Sequence, residues 1–271
     1  MLAAMVWGSL LAGTVRADMA LVGYWALDEG SGMTAADSAT PPASDGALAA
    51  SPNTPTWTTG YLNGGLLFDG GTSTTGDRVN MPDTDELDLT GDLTLDFWMK
   101  PTGTGSSRYG HLVGKNMSGG STNDGYSLDI VYTTGVLNET GITKGKLEFV
   151  ITNGDVLTVL RSNTALSTGT SNDNWYHVRA EYVAGTRMSI YLDGVLDSEM
   201  TTGVPAACDS TDAPFTLGNL SNPEGSPNFA YSYKGVLDEV RVYSGVIPEP
   251  TSLAILVGGL LGLMFRRRGS I

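Results

Sequence analysis

Short apolar runs with a two-residue period constrain the fold of this chain more than any other feature. In residues 93–100 the apolar side chains occupy every second position: Leu93, Leu95, Phe97 and Met99. This is the period of a β-strand that buries one face, and residues 175–183 repeat it. No stretch between the two ends of the chain shows a sustained helical period, so the sequence predicts strands.

Turn-forming residues separate these runs at short intervals. Asp193-Gly194 lies between the apolar runs 186–192 and 195–200 and predicts a tight hairpin. Strands at this spacing, a dozen or more, predict a single β-sandwich, and no segment has the character of an interdomain linker. The other predicted strands are 21–27, 65–68, 78–81, 127–132, 146–151, 156–160, 215–217 and 234–243.

The N-terminal residues predict export. Residues 1–15 are mostly apolar, and small side chains at Val15 and Ala17 occupy the two positions that a signal peptidase reads. We therefore expect a signal peptide at residues 1–17, cleaved between Ala17 and Asp18. No Lys or Arg precedes the apolar run, so a misassigned start codon and a buried first element of the fold remain alternatives.

The C-terminal segment, residues 246–271, has three parts in a fixed order. Pro248, Glu249 and Pro250 precede an apolar run at 253–265, and the basic cluster Arg266, Arg267 and Arg268 follows it. As a helix, this apolar run spans about 20 Å, which is shorter than the bilayer core of about 30 Å. A transient membrane stop therefore fits better than a permanent anchor, with the arginines on the cytoplasmic side.

This tail resembles the PEP-CTERM sorting signal of Gram-negative bacteria. In that family a membrane protease, exosortase, recognises the tripeptide and removes the tail from an exported protein. The resemblance implies transient insertion into the inner membrane, followed by release or attachment at the cell surface or in the extracellular matrix. Exosortase and signal peptidase are the expected processing partners.

The chain between the two signals is strongly acidic. The whole chain has 15 basic and 29 acidic residues; without residues 1–17 and 248–271 it has 11 and 28, a net charge of −17. We expect no nucleic-acid partner, because phosphates require Lys and Arg. Cys208 is the single cysteine, which excludes an internal disulfide, and we expect no nucleophilic role for it.

Several segments between residues 18 and 245 follow a recognisable order. They are 21–32, 64–70 with 79–81, 87–101 around Trp98, 175–178 with 190–194, 217–219, and 234–243. In this order they resemble the LamG-like, concanavalin A-like jelly-roll domains of bacteria. The resemblance implies an all-β jelly-roll sandwich. It implies less about function, because this fold hosts lectins, adhesins, hydrolases and lyases.

Catalytic motifs are incomplete in the sequence. Laminarinase-like members of this fold place carboxylates as Glu-x-Asp-x-x-Glu on one strand. Glu86 and Asp88 begin that pattern, but Gly91 replaces the last glutamate. We expect His177 to be a structural histidine on its strand. We expect a solvated loop that contains Asp83, Asp85, Glu86 and Asp88.

The jelly-roll resemblance also implies a structural calcium ion where the opening loop meets the closing strand. Asp238 would contribute a carboxylate, Asp28 or Glu29 a second, and carbonyls near Gly30 the remaining oxygen ligands. The alternative is that Asp238 and its charged neighbours form surface ion pairs. Both interpretations stay open on the sequence.

Aromatic residues in loops are candidates for stacking on sugar rings. We expect Trp25, Trp98 and Trp175, which lie in strong strand patterns, to pack in the core or at its rim. No spacing selects a ligand set. The loop candidates are Trp57, Tyr61, Tyr109, Tyr126, Tyr132, Phe229, Tyr231 and Tyr233.

These patterns favour an exported protein with a non-catalytic, lectin-like domain that binds polysaccharide or a matrix protein. One alternative is a secreted glycan-cleaving enzyme, a glycoside hydrolase or lyase, on the same fold. Another is a structural component of the extracellular matrix without a discrete ligand.

Overall fold

The computed structural model describes residues 19–39, 43–52, 54–71, 76–105, 108–116, 124–133, 143–220 and 231–247. Within these ranges lie sixteen β-strands and one 3-10 helix, Asp85–Leu87, and no helix that is long and apolar enough to cross a membrane. The strands are β1 (Ala20–Trp25), β2 (Thr34–Ala35), β3 (Gly46–Leu48), β4 (Thr56–Thr59), β5 (Gly64–Asp69), β6 (Val79–Met81), β7 (Leu93–Pro101), β8 (Tyr109–Asn116), β9 (Asp124–Val131), β10 (Leu147–Asn153), β11 (Val156–Arg161), β12 (Tyr176–Val183), β13 (Arg187–Leu192), β14 (Val195–Met200), β15 (Phe215–Leu217) and β16 (Lys234–Ser244).

The strands form two antiparallel sheets that pack face to face. Sheet I has the order β14-β13-β12-β7-β16-β5-β4, with β1 also paired to β16. Sheet II has the order β11-β10-β9-β8-β15-β6-β3-β2. Strands that are distant in sequence are neighbours in both sheets, which is typical of a jelly roll. The predicted all-β sandwich is confirmed.

The last strand, β16, organises sheet I because it pairs with three others. Along one edge it pairs with β7. Along the other edge, Lys234–Leu237 pair with β5 and Val240–Ser244 pair with β1. The change of partner coincides with a β-bulge between Asp238 and Arg241, where Glu239 has a positive φ of 55°. A bulge redirects the strand locally, and here it leaves Asp238 and Glu239 in the gap between β5 and β1.

The core lies between the inner faces of the two sheets. Trp25 from sheet I stacks on Phe215 from sheet II, with ring centroids 5.3 Å apart. The indole N–H of Trp25 donates to the Ser44 carbonyl at 3.0 Å, so the buried ring has a partner for its polar atom. Phe97 and Phe149 are also fully buried between the sheets.

All twelve predicted strands are present, with boundaries that differ by a few residues. Four short or interrupted strands were not predicted: β2, β3, β4 and β8. The most important omission is β8, a central strand of sheet II, because two glycines, a lysine and a histidine break its apolar alternation. Trp175 lies just before β12 rather than within it.

Candidate functional site

Three aromatic side chains form a partly exposed cluster on the outer face of sheet I. The ring of Tyr61 lies flat on Trp98, with centroids 3.4 Å apart and an interplanar angle of 8°. Tyr61 also meets Trp175 edge-on at 6.0 Å and 68°, and 51% of Tyr61 is exposed. We call Tyr61, Trp98 and Trp175 the aromatic platform. It presents an apolar ring surface, supported from behind, to the outside of the molecule.

The strand register of sheet I places Trp98 on this face. In β7, Phe97 and Met99 are fully buried in the core, so a two-residue period turns Trp98 outward. His177 of β12 is its register partner on one side, with ring centroids 4.9 Å apart. Asp238 of β16 is its register partner on the other side.

Charged groups border the aromatic platform. An oxygen of the Asp96 carboxylate lies 3.1 Å from Nε2 of His177, so this histidine has the kind of partner expected of a structural residue. The ammonium of Lys100 lies 5.2 Å from the ring centroid of Trp175, within the range of a cation–π contact. The platform therefore offers cationic as well as aromatic groups.

An open polar pocket of about 540 Å³ lies on the loop that leads into Trp175. Loop 167–174 lines it, and Trp175 follows this loop directly in the chain. Asn172 fixes the loop because its side-chain amide donates to the Pro101 carbonyl at 2.9 Å and to the Ser167 carbonyl at 3.1 Å. Hydroxyl and amide groups next to exposed rings are the combination that oriented recognition of a polar ligand requires.

Two of the four residues predicted to hold calcium lie around one turn. Asp28 Oδ1 accepts a hydrogen bond from the Gly64 amide at 2.7 Å, and its Oδ2 accepts one from the Asn63 side chain at 3.2 Å. Asp238 Oδ2 accepts one from the Leu62 amide at 2.8 Å. The opening and closing segments therefore meet at the turn between β4 and β5, as the resemblance implies.

The other two predicted ligands are placed differently. Glu29 Oε1 accepts a hydrogen bond from the Ala36 amide at 2.8 Å. Gly30 is exposed and has a φ of 66°. Within the described ranges no group of three or more His, Cys, Asp or Glu side chains is arranged to hold a metal ion. A cation at this turn would therefore need main-chain oxygens or water in addition to Asp28 and Asp238.

Asp238 is the most unusual carboxylate at this turn. It is fully buried, and its Oδ1 has no hydrogen-bond partner among the described residues. Burial raises the pKa of Asp238 to about 6, even though the main-chain N–H groups of Leu62 and Tyr61 favour the ionised form. A buried carboxylate oxygen without a hydrogen-bond partner can serve as a cation ligand, so the chemistry of Asp238 fits the role that the resemblance implies.

The outer face of sheet II carries a buried polar network. His111 Nδ1 lies 2.9 Å from Asp129 Oδ1, and His111 Nε2 lies 3.1 Å from the Thr216 hydroxyl. Ser127 donates to Asp129 Oδ2 at 3.1 Å. The order hydroxyl, imidazole, carboxylate is that of a catalytic triad. Here, however, His111 and Thr216 are fully buried, so the network satisfies buried polar groups and presents no nucleophile to a substrate.

The acidic loop before β7 is solvated in part: Asp83 and Asp85 are exposed, as the sequence predicted, whereas Asp88 is half-buried. The ammonium of Lys115, which is fully buried, is bound by the carboxylates of Asp83 and Asp88. It also donates to the Thr211 carbonyl at 2.8 Å. The sequence did not indicate these ion pairs, because β8, the strand that contains Lys115, was not predicted. A buried ammonium requires such partners.

Cys208 is buried and is not set up as a nucleophile. Burial raises the pKa of its thiol to about 12, with a further contribution from the charge of Asp209. A thiol with that pKa is protonated at neutral pH, whereas catalysis requires the thiolate.

The aromatic predictions divide into three groups. Trp25 is in the core, as expected, whereas Trp98 and Trp175 are partly exposed; their place in an outward-facing aromatic cluster was missed. The sequence did contain an indication of this, because Trp98 alternates with the buried residues of its strand and therefore takes an outward-facing position. Of the loop candidates, Tyr61 is exposed and joins the platform, whereas Tyr126, Tyr132 and Tyr233 are buried. Phe229 lies outside the described residues.

The processing signals lie outside the described residues. These are the predicted cleavage site at Ala17 and Asp18, the sorting tripeptide Pro248, Glu249 and Pro250, and the basic cluster Arg266, Arg267 and Arg268. Their assignment rests on sequence comparison. The PEP-CTERM protein-sorting motif matches residues 246–268, so the predicted tail is confirmed as an exosortase sorting motif of an exported protein.

Solved structures with the same fold include toxin binding domains. The binding domain of Paraclostridial Mosquitocidal Protein 1 is 11% identical, with a TM-score of 0.57 over 84% of this chain and 50% of that one. The botulinum neurotoxin DC binding domain in complex with SialylT is 12% identical, with a TM-score of 0.58 over 89% and 51%. This chain therefore spans about half the length of those binding domains. At such low identity the likeness shows the fold alone.

Sequence comparison assigns the family. No curated protein sequence matches the chain, whereas the profile of the concanavalin A-like lectin/glucanases superfamily, in its Laminin_G_3 form, matches residues 71–250. This match covers most of the chain and agrees with the two-sheet sandwich. The chain therefore belongs to the concanavalin A-like lectin/glucanase superfamily and carries a C-terminal PEP-CTERM sorting motif.

Proposed function

We propose that this protein is a non-catalytic lectin that binds polysaccharide or a matrix protein at the cell surface. The observation that carries the proposal is the aromatic platform, whose member Trp175 directly follows the loop 167–174 that forms the polar pocket. Exposed rings stack on the apolar faces of sugars, while neighbouring amides and hydroxyls orient the sugar hydroxyl groups. The binding of SialylT by a toxin domain of the same fold is consistent with this use of a jelly roll.

The carboxylates next to the platform support binding rather than cleavage. Asp96 contacts His177, and Asp238 accepts main-chain hydrogen bonds from the turn that carries Tyr61. A glycosidase needs two carboxylates that are open to the scissile bond from both sides. Both groups have structural partners here, and Asp238 is fully buried.

The route to the cell surface is part of the proposal. Signal peptidase removes residues 1–17, and the apolar run at 253–265 inserts transiently into the inner membrane. Exosortase then cuts near Pro248–Pro250, and the domain reaches the cell surface or the extracellular matrix. The sorting motif and the acidic, nearly cysteine-free composition support this route.

A structural calcium ion at Asp238 and Asp28 completes the proposal. Asp238 Oδ1 is buried and has no hydrogen-bond partner in the described part of the chain, and Asp28 lies on the other side of the same turn. These carboxylates would hold the ion together with main-chain carbonyls, since calcium takes six to eight oxygen ligands. The ion would join the first strand to the last one.

The proposal is tested by measuring binding and cleavage on the same glycans. We expect the mature domain to bind members of a panel of neutral glucan oligosaccharides, uronate oligosaccharides and bacterial exopolysaccharides without releasing reducing sugar. Tyr61→Ala should weaken binding about tenfold, which corresponds to about 1.4 kcal/mol. Release of reducing sugar would favour the enzyme instead, and a failure to bind or cleave would favour a structural component.

A matched control separates stacking from general surface hydrophobicity. Val195 is more exposed than Tyr61, at 69%, and lies at the hairpin between β13 and β14. Val195→Ala should leave glycan affinity unchanged. Equal losses in the two variants would contradict the assignment of the platform as the binding site.

A further inference from the structure

The turn that carries Tyr61 is held from both sides by carboxylates from distant parts of the chain. Asp238 Oδ2 accepts a hydrogen bond from the Leu62 amide at 2.8 Å, and the carboxylate also interacts with the main-chain N–H of Tyr61. Asp28 accepts the Gly64 amide at 2.7 Å and the Asn63 side chain at 3.2 Å. The turn therefore depends on side chains of the opening and closing segments rather than on its own hydrogen bonds alone.

The topology explains why a side chain is needed at this point. β16 pairs with β5 as far as Leu237 and with β1 from Val240 onward. Between these residues its free edge has no neighbouring strand in sheet I, and the turn between β4 and β5 enters the gap. The Asp238 carboxylate then takes the place of the missing ladder, because it accepts the N–H groups that a strand would have bonded.

The turn is also too tight for any residue other than glycine at its first position. A Cβ atom on Gly60 would lie 1.6 Å from the Gly64 carbonyl oxygen and 2.6 Å from Asp238 Oδ2. The main chain at Gly60 is thus packed directly against the carboxylate. This close approach leaves the turn little freedom to move while Asp238 stays in place.

Two neighbouring residues, Asp238 and Trp98, determine the position of the Tyr61 ring. Its main chain is bound by Asp238, and its ring lies 3.4 Å from Trp98. Trp98 is itself the register partner of Asp238 across β7 and β16. The same pair of opposed residues therefore fixes both the backbone and the ring of Tyr61.

We propose that Asp238 is a positioning residue for the aromatic platform, which holds the exposed ring of Tyr61 ready for a sugar without touching the ligand. This inference rests on the proposed function and identifies a buried residue on which binding depends. Ordering one flexible side chain on binding weakens affinity by about threefold to tenfold. We call the hydrogen bonds of Asp238 to this turn the Asp238 clamp. Because of the clamp, the entropy of ordering Tyr61 is lost during folding and not during binding.

Hydrogen–deuterium exchange tests the clamp without any ligand. In Asp238→Ala the amides of residues 60–64 should exchange at least tenfold faster than in the parent, while the core strands β7 and β12 stay protected. Asp238→Asn keeps one oxygen acceptor, so it should restore part of the protection and should fold if the alanine variant does not. Unchanged exchange at residues 60–64 in both variants would overturn the proposal.

Glycan binding then connects the clamp to function. Against the oligosaccharides that the parent protein binds, Asp238→Ala should lose about threefold to tenfold in affinity, and Asp238→Asn should lose less. If Tyr61→Ala weakens binding but both Asp238 variants bind like the parent, the positioning role is wrong. If Tyr61→Ala has no effect, the proposed function fails, and the exchange data still decide whether the clamp exists.

Asp209 provides the matched control. Its Oδ1 also accepts a main-chain N–H from a turn, that of Gly154 at 3.0 Å, but this turn joins β10 and β11 in sheet II. Asp209→Ala should loosen its own turn and leave exchange at residues 60–64 and glycan affinity unchanged. A loss of affinity equal to that of Asp238→Ala would show a general loss of order and would overturn the specific role.

Discussion

Asp77 shows how a single buried carboxylate can work against the stability of the fold. It is 5% exposed, and its Oδ2 accepts the Asp69 amide at 2.7 Å. Burial raises its pKa to about 6, and the nearby charge of Asp69 acts in the same direction. The native state therefore binds this proton more tightly than the unfolded chain does. Ionisation of Asp77 therefore destabilises the fold. The destabilisation is complete above about pH 6 and absent below about pH 4.

Asp77→Asn should be more stable than the parent at pH 8 and equal to it near pH 4. The amide oxygen can still accept the Asp69 N–H, and the charge is gone. A pKa about two units above the ordinary value of an aspartate corresponds to at most about 3 kcal/mol, so we expect the free energy of urea unfolding at pH 8 to rise by about 1–3 kcal/mol. The exposed Asp85 is the control, and Asp85→Asn should change stability by less than about 0.5 kcal/mol at either pH. A gain for Asp77→Asn that does not depend on pH would contradict the assignment.

At the same scale, the sequence predicted some residues of the site and missed others. Asp28 and Asp238 were predicted to lie close together, and both bind the turn between β4 and β5, because the topology that the resemblance implied brings the first and last strands together. The stacking of Tyr61 on Trp98 was not predictable. It depends on the gap between β5 and β1, and no local pattern reports which strands flank β16.

Among the elements, hairpins with strong turn residues were the easiest to predict. Leu192 pairs with Val195, so Asp193 and Gly194 form a two-residue turn, with φ values of 51° and 79°. Two positive φ values define the type I′ turn that suits the twist of a hairpin. In contrast, β8 escaped prediction because its outward positions serve the buried networks of His111 and Lys115 instead of an apolar pattern.

Gly194→Ala should destabilise the domain by about 1–2 kcal/mol, the cost of a left-handed conformation for a residue with a Cβ atom. No atom lies within 4 Å of the added Cβ, so the effect comes from the backbone alone. Gly91 is the matched control, because its Cβ would also meet nothing within 4 Å and its φ is not among the positive ones. Gly91→Ala should be neutral or slightly stabilising, and thermal melting of both variants gives the comparison. Equal effects would refute the turn argument.

The whole molecule depends on its first and last strands meeting in one sheet without a disulfide to join them. β1 and β5 share the free edge of β16, and the carboxylates of Asp28 and Asp238 both accept hydrogen bonds from the turn beside that junction. The excess of 28 acidic over 11 basic residues in residues 18–247 opposes compaction through self-repulsion. A divalent cation at the junction would reduce this repulsion and tie the two ends together.

Removal of calcium should therefore lower the melting temperature of the whole domain at neutral pH. Free calcium at 100 times the dissociation constant of the site stabilises the folded state by about 2.7 kcal/mol. This corresponds to a shift of several degrees in the melting temperature of a domain of this size. Thermal melts with calcium and with a chelator provide the measurement. Asp238→Asn is the control, and its melting temperature should respond little to the chelator. Identical midpoints for the parent under both conditions would rule out the structural ion.

The end of β16 sets a limit on how the tail can be removed. The strand ends at Ser244, and only residues 245–247 separate it from Pro248. Even a fully extended chain covers about 14 Å over that interval. Any protease that cuts at the tripeptide must therefore bind close to the end of β16. The linker of three residues is too short to separate the folded sandwich from the protease.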